Sequence, residues 1–169
     1  RELERITMPE MTLLGWFHTI FGVFALVTAF YTLRHYKVIS MKHLPGRLYV
    51  YITIFVAGSS LAIYNQGGFG IAHWLGVLTL VAVAGGIVME KFTLFGGFSK
   101  YFQALGYTST LLFHMIPAIT DFLRRLPIGD PFVDSFEDPL ILKFHLAFLI
   151  IYLVGLILQI RWLKSQPAS

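Results

Sequence analysis

Five stretches of roughly 20 apolar residues occupy most of this 169-residue chain, at about 11–34, 47–65, 70–90, 100–122 and 140–163. A helix crossing the hydrocarbon core of a bilayer needs about 20 such residues. Backbone groups in lipid must be satisfied within the segment, which leaves helices as the way to pass through. The segments between them carry chain breakers: "KHLPGR", "NQGGFG", "FGGFSK" and "LPIGDPFVDSFEDP". The pattern predicts an all-α integral membrane bundle of five transmembrane helices, forming one domain over residues 1–169 with a capping outer loop at 123–139. Only 13% of the residues are charged, about half of what a water-facing surface uses. The first apolar run lacks a basic leader and a small-residue cleavage site, so it reads as a retained helix.

The charges divide by helix end. Arg34, Lys37, Lys42, Arg47, Lys91, Lys100, Arg161 and Lys164 share one set of ends with the single acid Glu90, for a net of +7. The other set holds Arg1, Arg5, Arg124, Arg125 and Lys143 against Glu2, Glu4, Glu10, Asp121, Asp130, Asp134, Glu137 and Asp138, for a net of −3. Basic loops stay in the cytoplasm, so the expected topology has the N-terminus outside and the C-terminus inside, in a bacterial cytoplasmic (inner) membrane. Because the basic residues sit at span ends and not in one stripe, the chain's +4 charge does not point to nucleic acid. There are no cysteines, which removes disulfides, thiolate metal sites and iron–sulfur ligation.

Six histidines are present. His35 and His43 fall in a basic loop and read as solvated. His18, His73, His114 and His145 fall inside spans 1, 3, 4 and 5, all in the outer half. Counted from the outer helix ends, His18 and His114 come about 12 Å deep, and His73 and His145 about 5–8 Å. An ionisable group inside a span is costly unless it faces the bundle interior and finds a partner. On span 4, Gln103, Gly106, Tyr107, Thr110, His114, Pro117 and Asp121 follow steps of three and four and share a stripe, with Leu111, Leu112, Met115 and Ile119 opposite. On span 5, His145, Tyr152 and Gln159 repeat every seven residues, and on span 1 Gly15, His18, Gly22, Ala25 and Ala29 form a small-residue seam. Pro117 frees the carbonyl of Phe113 next to His114, which also offers that imidazole a bland structural partner.

Several chemistries fit four inward imidazoles. The leading expectation is a b-type haem with axial ligands from two helices, His18 with His114 first and His73 with His145 second. A copper, iron or zinc site built from His18, His73, His114 and His145 is the alternative cofactor. Tyr107, Asp121 and Tyr152 are the expected outer partners, with Tyr107, His114 and Asp121 forming a polar column suited to exchange with quinol. The competing reading has no chemistry: an accessory or scaffold subunit of a larger membrane complex, for which Tyr51, Gly58 and Asn65, spaced by seven on span 2, would supply an interface or an internal seam. No dinucleotide, Walker or nucleophile-elbow motif is present.

The run "KHLPGRLYVYITIFVAGSSLAIYNQGGFGIAHWLGVLTLV" resembles an uncharacterised family of bacterial multi-pass membrane proteins, in which a basic loop ending in H-x-x-x-G-R-x-Y leads into a helix, a glycine-rich turn and a second helix. Gly46, Arg47 and Tyr49 match that motif, while His43 stands one residue closer to the glycine than the family spacing. The resemblance covers about a quarter of the chain, Lys42 to Val81, and implies a membrane protein with no assigned reaction.

Overall fold

The structure, a computed structural model, describes residues 11–64 and 68–167. The N-terminal charges Arg1, Glu2, Glu4, Arg5 and Glu10, together with Asn65, lie outside the described residues. All regular structure among the described residues is helical: α1 (Leu13–Tyr36), α2 (Leu44–Ser60), α3 (Ile71–Phe92), α4 (Ser99–Arg125) and α5 (Pro139–Ser165), with one 3₁₀ turn at Gly96–Phe98. Local chemistry sets the ends. Thr12 caps α1 by accepting from the Gly15 N–H at 3.1 Å, and Asp138 caps α5 through the Leu140 N–H at 2.8 Å. Pro45 and Pro139 occupy the opening turns of α2 and α5, where a missing N–H costs nothing. Lys37 leaves α1 in the left-handed region, with φ at 67°.

Three helices, α1, α3 and α5, are long and apolar enough to cross a membrane. Their apolar faces are largely uncovered by protein, with Phe24, Val27, Val81, Ile150, Val154 and Leu158 all about half exposed or more. Contiguous apolar surface on this scale marks a membrane or partner contact. The second apolar stretch behaves differently from expectation. Its helix begins at Leu44 and ends at Ser60, because Pro45 starts a helix better than it precedes one, and 17 residues span only about 25 Å. The fourth is longer than expected, running through Pro117 to Arg125.

Helix directions can be read from the side-chain bonds. Tyr49 and Thr53 of α2 meet Thr110 and His114 of α4, each four residues further along, so these two helices run parallel. Between α4 and α5, Lys100 reaches Leu163, Ser109 meets Tyr152 and Thr120 meets His145, so the partners descend as the chain climbs and the helices are antiparallel. The main core joins Ala25 and Ala29 of α1, Ile39 of the loop after it, Tyr49 and Val50 of α2, Val83 of α3, and Tyr107 and Leu111 of α4. Leu111 therefore faces the core, although its stripe position placed it opposite the polar face. A second, smaller cluster of Leu123, Val133 and Ile141 ties the loop after α4 to α4 and α5. That loop folds back over the helix end, where the Arg124 guanidinium lies 3.5 Å from the centre of the Phe136 ring.

Close crossing of α3 and α4 depends on two glycines. A Cβ on Gly106 would stand 2.9 Å from the Ala82 carbonyl oxygen and 3.0 Å from the Gly86 nitrogen, and one on Gly86 would stand 2.6 Å from the Tyr107 ring. Their absence brings the backbones together, the familiar arrangement of tightly packed membrane helices.

Candidate functional site

The end of the bundle that holds the loop after α4 also holds all four span histidines, and each is engaged by protein. His18 Nδ1 lies 3.0 Å from Ser59 Oγ on α2. The single Ser59 proton is already donated to the Val56 carbonyl at 2.9 Å. His18 Nδ1–H must therefore be the donor, which leaves Nε2 with its lone pair. His114 Nε2 lies 3.1 Å from Thr53 Oγ1 on α2, with the Tyr49 ring 6.3 Å from the imidazole. His145 Nε2 stands 3.0 Å from the Ile116 carbonyl and 3.1 Å from Thr120 Oγ1 on α4. A carbonyl only accepts, so Nε2 of His145 carries its proton.

His73 is 4% exposed and packs between the Tyr64 and Phe69 rings, with centroids at 4.6 and 4.9 Å. Its Nδ1 accepts from the Gly70 N–H at 3.0 Å, closing the first turn of α3. The neutral ring then holds its proton on Nε2, and that buried N–H has no partner among the described residues. An orphaned buried donor costs about 1–3 kcal/mol. The remaining two histidines are loop and helix-end residues: His35 stacks on Tyr31 and His43 on Tyr36, with centroids 4.0 and 3.9 Å apart.

The expected polar column of Tyr107, His114 and Asp121 does not form. Tyr107 is fully buried and its hydroxyl donates to Glu90 at 2.9 Å, toward the opposite end of the bundle. Asp121 is exposed and pairs with Arg125 at 3.7 Å. Two effects separate residues spaced by seven: the straight helix drifts about 20° per heptad, and side chains lean toward the N-terminus. His114 bonds neither the Phe113 carbonyl nor Tyr107, because Thr53 on α2 is in reach instead. On α5 the stripe does hold together, since Tyr152 meets Ser109 at 2.9 Å, Gln159 accepts from Thr108 at 2.8 Å, and His145 meets Thr120. Among the described residues Tyr152 thus bonds Ser109 and no histidine.

A polar cluster that spacing did not reveal lies at the basic end. Glu90 accepts from Ser40 Oγ at 2.5 Å, from the Met41 N–H at 2.9 Å and from Tyr107. It fastens the α1–α2 loop and α4 to the end of α3. The signal was present, because Glu90 is the one acid among the eight basic residues at that end. Above it, Thr110 donates to the Tyr107 carbonyl at 2.6 Å, so the 2.6 Å contact between Tyr49 and Thr110 has Tyr49 as donor.

No family model, curated protein or solved structure matches this chain. The chemistry rests on the residues alone. Among the described residues no group of three or more His, Asp or Glu lies close enough to hold a metal ion. For a haem, His18 has the form of an axial ligand: a free Nε2 and an Nδ1–H held by a hydroxyl that is itself held by a carbonyl. The other three histidines engage their Nε2 atoms differently. His73 and His145 present protons at Nε2, and His114 directs its Nε2 at Thr53. The open apolar groove between α3 and α4, about 340 Å³, is lined by Leu78, Ala82, Gly85, Phe102, Gly106 and Ser109 among others and has no histidine in its wall.

Proposed function

We propose that this protein is a non-catalytic subunit of a larger membrane assembly, a five-span bundle whose intramembrane histidines join helices and do not hold a cofactor. The observation that carries this reading is the fate of the imidazoles: His18 ties α1 to α2, His114 ties α4 to α2, His145 ties α5 to α4, and His73 closes the first turn of α3. Polar bonds between membrane helices supply association that the hydrophobic effect cannot, since lipid tails are as apolar as the helix faces. The seam on α2 adds support. Tyr51 is 58% exposed and a Cβ on Gly58 would meet nothing within 4 Å, so this face points out of the bundle, where a partner helix could approach. In this reading α2 and α4 complete the crossing with α1, α3 and α5, and the end bearing Lys37, Lys42, Lys91 and Lys100 lies in the cytoplasm of a bacterial inner membrane.

Accessibility labelling of single introduced cysteines tests the topology: residues in the 37–43 loop should react only from the cytoplasmic side, and residues in the 126–138 loop only from the other. Equal labelling from both sides would contradict it. The assembly is tested by native electrophoresis of gently solubilised membranes, where Gly58→Leu should release the chain from a larger species. An unchanged mobility would remove the α2 face as the contact.

The second reading is a b-haem component exchanging electrons with quinol, favoured by one observation, the open Nε2 of His18. In that case a partner subunit would have to supply the other axial ligand. His18→Leu would then abolish a haem spectrum that His114→Leu leaves intact.

A further inference from the structure

We infer that the start of α3 is a phospholipid headgroup site, in which the Nε2–H of His73 donates to a phosphate oxygen at the membrane edge. His73 is 96% buried when read from its 4% exposure, and its Nε2 has no partner among the described residues. The hydrogen-bond network fixes which ring edge is spent: Nδ1 accepts from Gly70, so the far edge carries a proton that needs an acceptor. Few buried donors in proteins stay unpaired, and each that does calls for an explanation, a missing water or ion being one and strain or a functional role the others.

Three features select a phosphate oxygen. The first turn of α3, a 22-residue helix, presents the positive end of its dipole and unpaired backbone N–H groups at this spot. No acid of this chain is bonded to or ion-paired with His73 among the described residues. Around the ring stand Tyr64, Phe69 and Trp74, each more than half exposed, with Phe69 edge-on to Trp74 at 5.4 Å. Aromatic side chains of this kind sit at headgroup depth. A phospholipid meets both halves of the site at once, its chains against the exposed rings and Ile71, its phosphate at the helix end.

The test uses the full chain in phosphate-free maltoside micelles, with histidines labelled with ¹⁵N. Phosphatidylglycerol should shift the His73 Nε2–H resonance in a saturable way and should remain bound in native mass spectra. Diacylglycerol, which lacks the phosphate, should do neither. A matching response to inorganic phosphate would assign the site to a free anion and overturn the lipid source, and an Nε2–H indifferent to every addition would overturn the site. Two variants separate binding from folding. His73→Glu keeps an acceptor for Gly70 but replaces the donor with a negative charge, and should weaken lipid retention roughly tenfold or more while the helix content holds. His73→Gln keeps both acceptor and donor and should retain the lipid. Retention by the Glu variant equal to the parent would refute the assignment.

Discussion

Removal of the Glu90 carboxylate should loosen the basic end of the bundle by an amount its partners define. Three groups donate to it: Ser40 Oγ, the Met41 N–H and the Tyr107 hydroxyl. Hydrogen bonds to a charged group contribute about 1.5–3 kcal/mol each, and a stranded buried donor costs about 1–3 kcal/mol. Ser40 and Met41 belong to a loop next to water and can be resolvated in part. Tyr107 is fully buried and cannot. Glu90→Ala should therefore cost about 3 kcal/mol, most of it from the stranded Tyr107 hydroxyl and one loop contact, and Glu90→Gln about half of that. Tyr107→Phe alone should cost about 1 kcal/mol, and in the double variant the two losses should overlap by about 1–2 kcal/mol, because the stranded hydroxyl is gone. Reversible unfolding in mixed maltoside and dodecyl sulfate micelles, followed by circular dichroism, reads these values. A Glu90→Ala variant within about 0.5 kcal/mol of the parent, or strictly additive losses, would refute the reasoning.

The histidine ties make a similar, smaller prediction: Thr53→Val and His114→Phe should each destabilise by about 1 kcal/mol, with a coupling of about 0.6 kcal/mol in a double-mutant cycle, the typical value for such bonds in a membrane bundle. No coupling would mean that the contact is not formed. Gly86→Ala places a methyl 2.6 Å from a Tyr107 ring that Glu90 holds in place, so the cost should be roughly 1–3 kcal/mol by unfolding, and combining it with Tyr107→Leu should recover part of it. Gly22→Ala, whose Cβ would meet open space, should be close to neutral in the same assay and serves as the control.

The sequence announces the elements of this bundle better than its contacts. Apolar length and breaker placement located all five helices, and spacing by seven on α5 found the three side chains that bond α4. The same spacing on α4 misled at Tyr107 and Asp121, because a stripe gives a face and says nothing of the direction in which a long side chain leans along the axis. Pro45 was legible as a breaker but not as the opening residue of α2, since proline suits both positions. The roles of the histidines were out of reach for a different reason. Whether an imidazole offers a lone pair or a proton depends on what its other nitrogen meets, and those partners, Ser59, Thr53, Gly70 and the Ile116 carbonyl, come from other helices or from the backbone. Hydroxyls such as Thr53 and Ser59 carry no sequence pattern that marks them as partners before the helices are packed.

The most direct measurement is a dithionite-reduced minus oxidised visible spectrum of the protein purified in mild detergent. If the imidazoles serve as ties between helices, the difference spectrum of the folded chain is flat, and it stays flat when the His114→Leu variant is compared. A sharp α-band that disappears in His18→Leu or His114→Leu would contradict the non-catalytic reading and make the histidine end of the bundle a haem site.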